Sequence, residues 1–72
     1  GYIMKCEHDG RETTGVCRCV KNWKHFKEDD VYTFEYKPNE NNCWLYYLTH
    51  NENGIVELCN WSFFDNMFEV IE

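Results

Sequence analysis

The side chains with the most chemistry to offer are five cysteines and three histidines in a chain of 72 residues. If the segments around them paired as a hairpin, Cys6, His8, Cys17 and Cys19 would share one face. Three thiolates and an imidazole make a tetrahedral set for zinc, and such an ion would stabilise a small domain. The spacing departs from the usual knuckle, in which two residues separate the cysteines. With one residue between them on a strand, Cα atoms lie about 6.5 Å apart. The competing reading buries Cys17 and Cys19 in the core, where a free thiol behaves as a small hydrophobe, and leaves His8 in solvent. An odd number of cysteines without a leader-like segment leads us to expect free thiols in a reducing cytoplasm, with a disulfide or a metal as alternatives.

Covalent catalysis needs a nucleophile, a base and an orienting group held together. His8, His25 and His50 all sit among polar neighbours, and no spacing selects a partner for any of them. The expectation is three surface histidines, buried thiols and no enzyme. Charge narrows the partners. Thirteen acidic residues against seven basic ones leave a formal net charge of −6, which repels phosphate backbones and favours a basic protein partner. Alternatively, Glu28-Asp29-Asp30, with Glu35 and Glu40, would imitate a row of phosphates and block a nucleic-acid-binding protein.

Aromatic residues make up 18% of the chain. Each ring buries roughly 150–250 Å², which compensates for the small size of a domain that buries only about 60% of its unfolded surface. Trp23, Trp44, Tyr47 and Trp61 exceed what one small core calls for, and Trp and Tyr are enriched where proteins bind one another. We expect Trp61 and Phe64 to pack the end of the core. Trp23 and Phe26, with the adjoining acids Glu28 and Asp29, are expected to join Trp44 or Tyr47 in an exposed patch suited to a basic partner with apolar pockets. A weak homodimer through the face of residues 43–48 would be a competing use of that patch.

These residues need a scaffold, and the scaffold is written in alternation. Cys43 to Leu48 and Ile55 to Leu58 flank the turn Asn51-Glu52-Asn53-Gly54 and read as a hairpin, since Asn-Gly readily takes positive φ. Tyr32, Phe34 and Tyr36 alternate with Val31, Thr33 and Glu35 on a second strand that ends at the turn cluster around Pro38. Val16 to Val20 is a third, with Cys17 and Cys19 inward. Met67 to Ile71 closes the chain as a last strand, and Asn60 to Asn66 is expected to make a single 3₁₀ turn. Residues 22–30 are too short and too polar for a stable helix and read as a folded loop around Trp23 and Phe26. Tyr2 to Cys6 is a further candidate strand. No run is long and apolar enough to span a membrane, so a soluble chain is expected. Five short strands and no long helix describe an all-β small barrel or a strongly bent sheet.

The order of these features resembles the small SH3-like β-barrel proteins common in bacteriophage genomes. Cys19-Val20-Lys21-Asn22, a folded loop, Val31-Tyr32-Thr33-Phe34, Tyr46-Tyr47-Leu48, Asn53-Gly54, an aromatic turn and Phe68-Glu69-Val70-Ile71 carry the likeness over residues 16–71. The resemblance implies a five-stranded SH3-like barrel over 16–72 behind an N-terminal extension, 1–15, and a phage origin, without implying proline-rich ligands. The expected function is a non-enzymatic interaction module that binds and modulates a host or phage protein in the cytoplasm.

Overall fold

Alternation of buried and exposed side chains decides the strands. The computed structural model describes residues 10–72. In chain order they form β1 (Thr14–Cys19), β2 (Val31–Pro38), β3 (Trp44–His50), β4 (Val56–Cys59), the helix α1 (Trp61–Met67) and β5 (Phe68–Val70). Tyr32, Phe34 and Tyr36 point inward while Thr33 and Glu35 face solvent, and Cys17 and Cys19 point inward from β1. The predicted strand at Tyr2–Cys6 lies outside the described residues.

The five strands make one antiparallel sheet in the order β4-β3-β2-β1-β5. β2 meets β3 from Tyr32 opposite His50 to Pro38 opposite Trp44, and β3 meets β4 from Tyr46 opposite Cys59 to Thr49 opposite Val56. β1 sits between β2 and β5, with Cys17 opposite both Tyr32 and Val70. β1 starts at Thr14 rather than at Val16, and the chain ahead of it is tied in by the Tyr36 amide donating to the Thr13 carbonyl at 2.8 Å.

Among the described residues the sheet is not closed. β4 and β5 occupy its two edges and are not partners of one another, so of the two all-β forms expected, a closed barrel and a bent sheet, the open sheet is the one present.

A second correction concerns residues 61–67, which form two turns of α-helix rather than a single 3₁₀ turn. The cause is local and tertiary together. Asn60 stands in extended geometry (φ −85°, ψ 174°) and its Oδ1 accepts the Phe63 amide at 2.9 Å, a side-chain cap that satisfies one orphan donor of the first turn. Phe64 and Met67, three apart, then lie on one face and are both buried. The helix ends where Phe68 becomes extended, its amide still donating to the Phe64 carbonyl. Among the described residues no helix is long and apolar enough to cross a membrane.

The core lies between α1 and the face of the sheet that carries Tyr32, Phe34, Tyr46 and Leu48. Phe34, Leu48, Cys17 and Cys19 are fully enclosed. The Tyr46 and Phe64 rings stack at 3.8 Å, and Phe34 meets both edge-on. Trp61, expected in this layer, is instead half-exposed at 53%. It lies under the Arg11 guanidinium, 5.4 Å from the ring.

Candidate protein-interaction surface

The loop from β1 to β2 is built as a miniature hairpin. The Trp23 amide donates to the Phe26 carbonyl at 3.0 Å and the Phe26 amide to the Trp23 carbonyl at 2.9 Å. Lys24, between them, takes φ +53°. The loop's base is closed by Cys19 and Asp30, whose amide and carbonyl bond at 2.8 Å, and by the Asp29 amide on the Cys19 carbonyl at 2.8 Å. Across the loop the Asn22 side chain accepts the Glu28 amide at 2.8 Å.

This construction divides the two rings. Phe26 is sunk into the core, with Phe63, Phe68 and Tyr32 within 5.5 to 6.3 Å between ring centres. Trp23 stays 47% exposed, edge-on to Phe63 at 5.6 Å, with the Lys24 ammonium 4.7 Å above its ring. A cleft of about 330 Å³ opens beside it, lined by Trp23, Phe26, Phe63, Leu58, Cys59 and Glu57. Leu58, at the rim of the cleft, is 55% exposed and turns its side chain to the outer face that it shares with its cross-strand partner Tyr47.

A second, polar cleft of about 390 Å³ lies on the side of the loop facing the β3–β4 turn and is lined by His25, Asp30, His50, Glu52 and Glu57 among others. His25 stacks on Phe26 at 4.4 Å and places Nε2 2.7 Å from Glu57 Oε2. His50 is buried, which corrects the expectation of three surface histidines. It shares the inward face of β3 with Tyr46 and Leu48, and Asp30 receives it at the start of β2. His50 Nδ1 accepts the amides of Glu52 and Asn53 at 3.1 and 3.3 Å. The proton of the neutral ring is thereby assigned to Nε2, which donates to Asp30 Oδ2 at 3.0 Å. Asp30, His50 and Glu52 bring donor atoms within 4.8 Å of one another. In that tautomer, however, Nε2 has no lone pair for a metal. The group works as a bracket between the β3–β4 turn and β2.

The predicted site residues therefore separate. Trp23 and Phe26 meet at one cleft, one as surface and one as its floor. Glu28 is exposed on the same loop. Asp29 bonds Arg18 at 2.5 Å, and Arg18 also holds Glu69 at 2.6 Å. Asp30 bonds His50, so the two aspartates of this run turn to separate partners. Trp44 is half-buried against Tyr36 at 5.3 Å. Tyr47 lies on the opposite face of β3, where the Lys37 ammonium sits 4.8 Å from its ring. Neither Trp44 nor Tyr47 lines the Trp23 cleft. Cys17 and Cys19 are wholly buried, and the Cys19 thiol donates to the Lys21 carbonyl at 3.1 Å. Cys6 and His8 lie outside the described residues. Burial pushes the thiols of Cys17 and Cys59 up to about 12, where the nucleophilic thiolate is scarce. Phe63, Leu58 and Arg11 were not singled out from the sequence. Phe63 had one readable signal: the cap at Asn60 sets the helical phase that turns it toward Trp23.

The described residues thus form a small β-rich fold, one open five-stranded antiparallel sheet with a short helix before its last strand. No protein-family model, curated protein or solved structure matches it.

Proposed function

We propose that this chain is a non-enzymatic interaction module that binds a basic protein at the cleft between Trp23, Phe63 and Leu58. The observation that carries the reading is the divided loop. Phe26 anchors it in the core while Trp23, two bonds of backbone pairing away, is held half in water, so a large ring is presented already ordered. A rigid aromatic with few rotatable bonds loses little entropy on binding and is a common source of interface energy. The net charge of −6 selects a partner of opposite sign.

In the same reading the fold is an SH3-like variant. The strand order β4-β3-β2-β1-β5, the long β1–β2 loop and the helical turn directly before β5 support it. A phage origin, and a host or phage target in the cytoplasm whose activity is modulated, rest on the resemblance of the sequence motifs.

The test is affinity capture from bacterial lysate with the full chain, its Trp23→Ala variant and its Tyr47→Ser variant, each shown to be folded by circular dichroism. A basic protein captured by wild type and Tyr47→Ser but lost from Trp23→Ala is the expected result. Retention by Trp23→Ala with loss from Tyr47→Ser would move the surface to the outer face of β3.

A further inference from the structure

Among the described residues β4 ends the sheet, and its backbone is arranged to receive another strand. The His50 amide donates to the Ile55 carbonyl at 2.9 Å, which makes His50 and Ile55 a hydrogen-bonded pair. With Thr49 opposite Val56 and Leu48 opposite Glu57, the antiparallel alternation directs Glu57 and Cys59 toward β3 and the N–H and C=O of Val56 and Leu58 away from it. The side chains along this edge are apolar and open: Ile55, Val56 and Leu58 are 56%, 54% and 55% exposed. Proteins usually blunt such an edge with lysine, proline or an outward charge. Here β4 has no lysine or proline, and its one charge, Glu57, is turned to His25 at 2.7 Å. The opposite edge is protected. β5 has three residues, and its Glu69 is locked to Arg18 at 2.6 Å.

We infer that the β4 edge takes up an extended, basic strand of the partner by main-chain pairing with Val56 and Leu58. The inference rests on the interaction reading above and specifies its mode. The Trp23 cleft lies along the inward side of β4, so a residue of the added strand opposite Cys59 projects toward Trp23 and Phe63, and one opposite Glu57 faces a carboxylate. Glu52 and Glu57 line the polar cleft beyond. The occupant is therefore apolar at the first of these positions and cationic at the second.

A second copy of the chain fits poorly. The two-fold register in which Val56 bonds Leu58 of the other copy sets Glu57 directly against Glu57, a like-charge pair at the closest cross-strand distance. Registers shifted to either side call on Gly54 or Asn60, whose N–H and C=O already bond His50 and Phe64.

The experiment uses the full chain labelled with ¹⁵N and a defined probe, the hexapeptide acetyl-Lys-Leu-Val-Arg-Val-Lys-amide. It is compared with the same peptide N-methylated at both valines and with an analogue carrying Glu in place of Lys and Arg. In the free chain the amides of Val56 and Leu58 should exchange with solvent faster than those of Glu57 and Cys59. The basic peptide should slow Val56 and Leu58, and N-methylation should weaken binding by about tenfold, as expected for two lost hydrogen bonds. Equal binding of the N-methylated peptide, with shifts confined to Trp23 and Phe63, overturns strand addition while leaving the cleft intact. Equal binding of the Glu peptide overturns the basic occupant. No change at Val56 and Leu58 at millimolar peptide also overturns strand addition, whereas the Trp23→Ala capture judges the cleft by itself. Protection of both amides in the free chain, with a dimer in sizing chromatography, would assign the edge to a second copy.

Discussion

Trp23 meets Phe63 edge-on, with ring centres 5.6 Å apart and planes at 63°, across forty residues of chain. The contact joins the β1–β2 loop to α1 and forms one wall of the proposed binding cleft. Because Trp23 is half-exposed, the pair contributes modestly to stability. A double-mutant cycle with Trp23→Ala and Phe63→Ala is expected to give a coupling of about 0.5–1 kcal/mol in urea unfolding. A coupling indistinguishable from zero would mean that the loop is not held by α1.

The Arg11 guanidinium grips Asp65 with two bonds, at 2.8 and 2.5 Å, and touches the Tyr46 hydroxyl at 3.0 Å. The hydrogen bonds from Arg11 hold the Asp65 carboxyl below its ordinary value. A carboxylate whose folded value is depressed contributes stability above its unfolded value, near 4, and loses that contribution as the pH falls through the folded one. Asp65 is 48% exposed, so solvent screening limits the effect to about 0.5–1 kcal/mol. Asp65→Asn should remove that much at pH 7 and flatten the loss of stability below about pH 4. An unchanged acid limb in the variant would reject the assignment.

Capping of α1 by Asn60 has a clean signature. Asn60→Ala should destabilise the chain by about 1 kcal/mol, and Asn60→Ser or Asn60→Asp should recover most of it, because both supply an oxygen to the Phe63 amide. Failure of both replacements to recover stability would show that Asn60 acts through some other contact.

Two of the thiols should be protected by the fold. With Cys17 and Cys59 pushed up to about 12 by burial, iodoacetamide at pH 8 should leave both unmodified in the folded chain and alkylate both in urea, as read by peptide mass spectrometry. Rapid labelling of Cys59 without urea would show that its surroundings open readily.

Gly15 is where β1 passes closest to its neighbours. A Cβ there would stand 2.6 Å from the Glu72 carbonyl oxygen and 2.8 Å from the Phe34 ring. The backbone oxygen cannot swing aside as a flexible side chain would. Gly15→Ala should therefore destabilise by about 1–3 kcal/mol in chemical denaturation, whereas a neutral result would mean that the C-terminal residues are free to shift.

Much of this molecule follows from short-range pattern. The period-two burial of Tyr32, Phe34 and Tyr36, the inward Cys17 and Cys19 and the turn with Gly54 at φ +73° are properties of neighbouring residues. A strand places alternate side chains on opposite faces wherever it lies, and glycine adopts that φ without help. Chain order alone also placed the Trp23 loop between two strands. What only the tertiary structure decided depends on residues far apart. The buried His50 is satisfied by Asp30, twenty residues earlier, which accepts the hydrogen bond of its Nε2–H, and nothing adjacent to His50 announces that partner. Trp44 and Tyr47 stand apart from Trp23 because β3 turns Tyr47 to its other face and Tyr36 covers Trp44. The sheet stays open because its edges, β4 and β5, would have to meet for it to close, and whether they meet depends on the summed twist and bend of all five strands. That sum is a property of the whole sheet, carried by no single stretch of chain, and it is what leaves the backbone of Val56 and Leu58 facing outward.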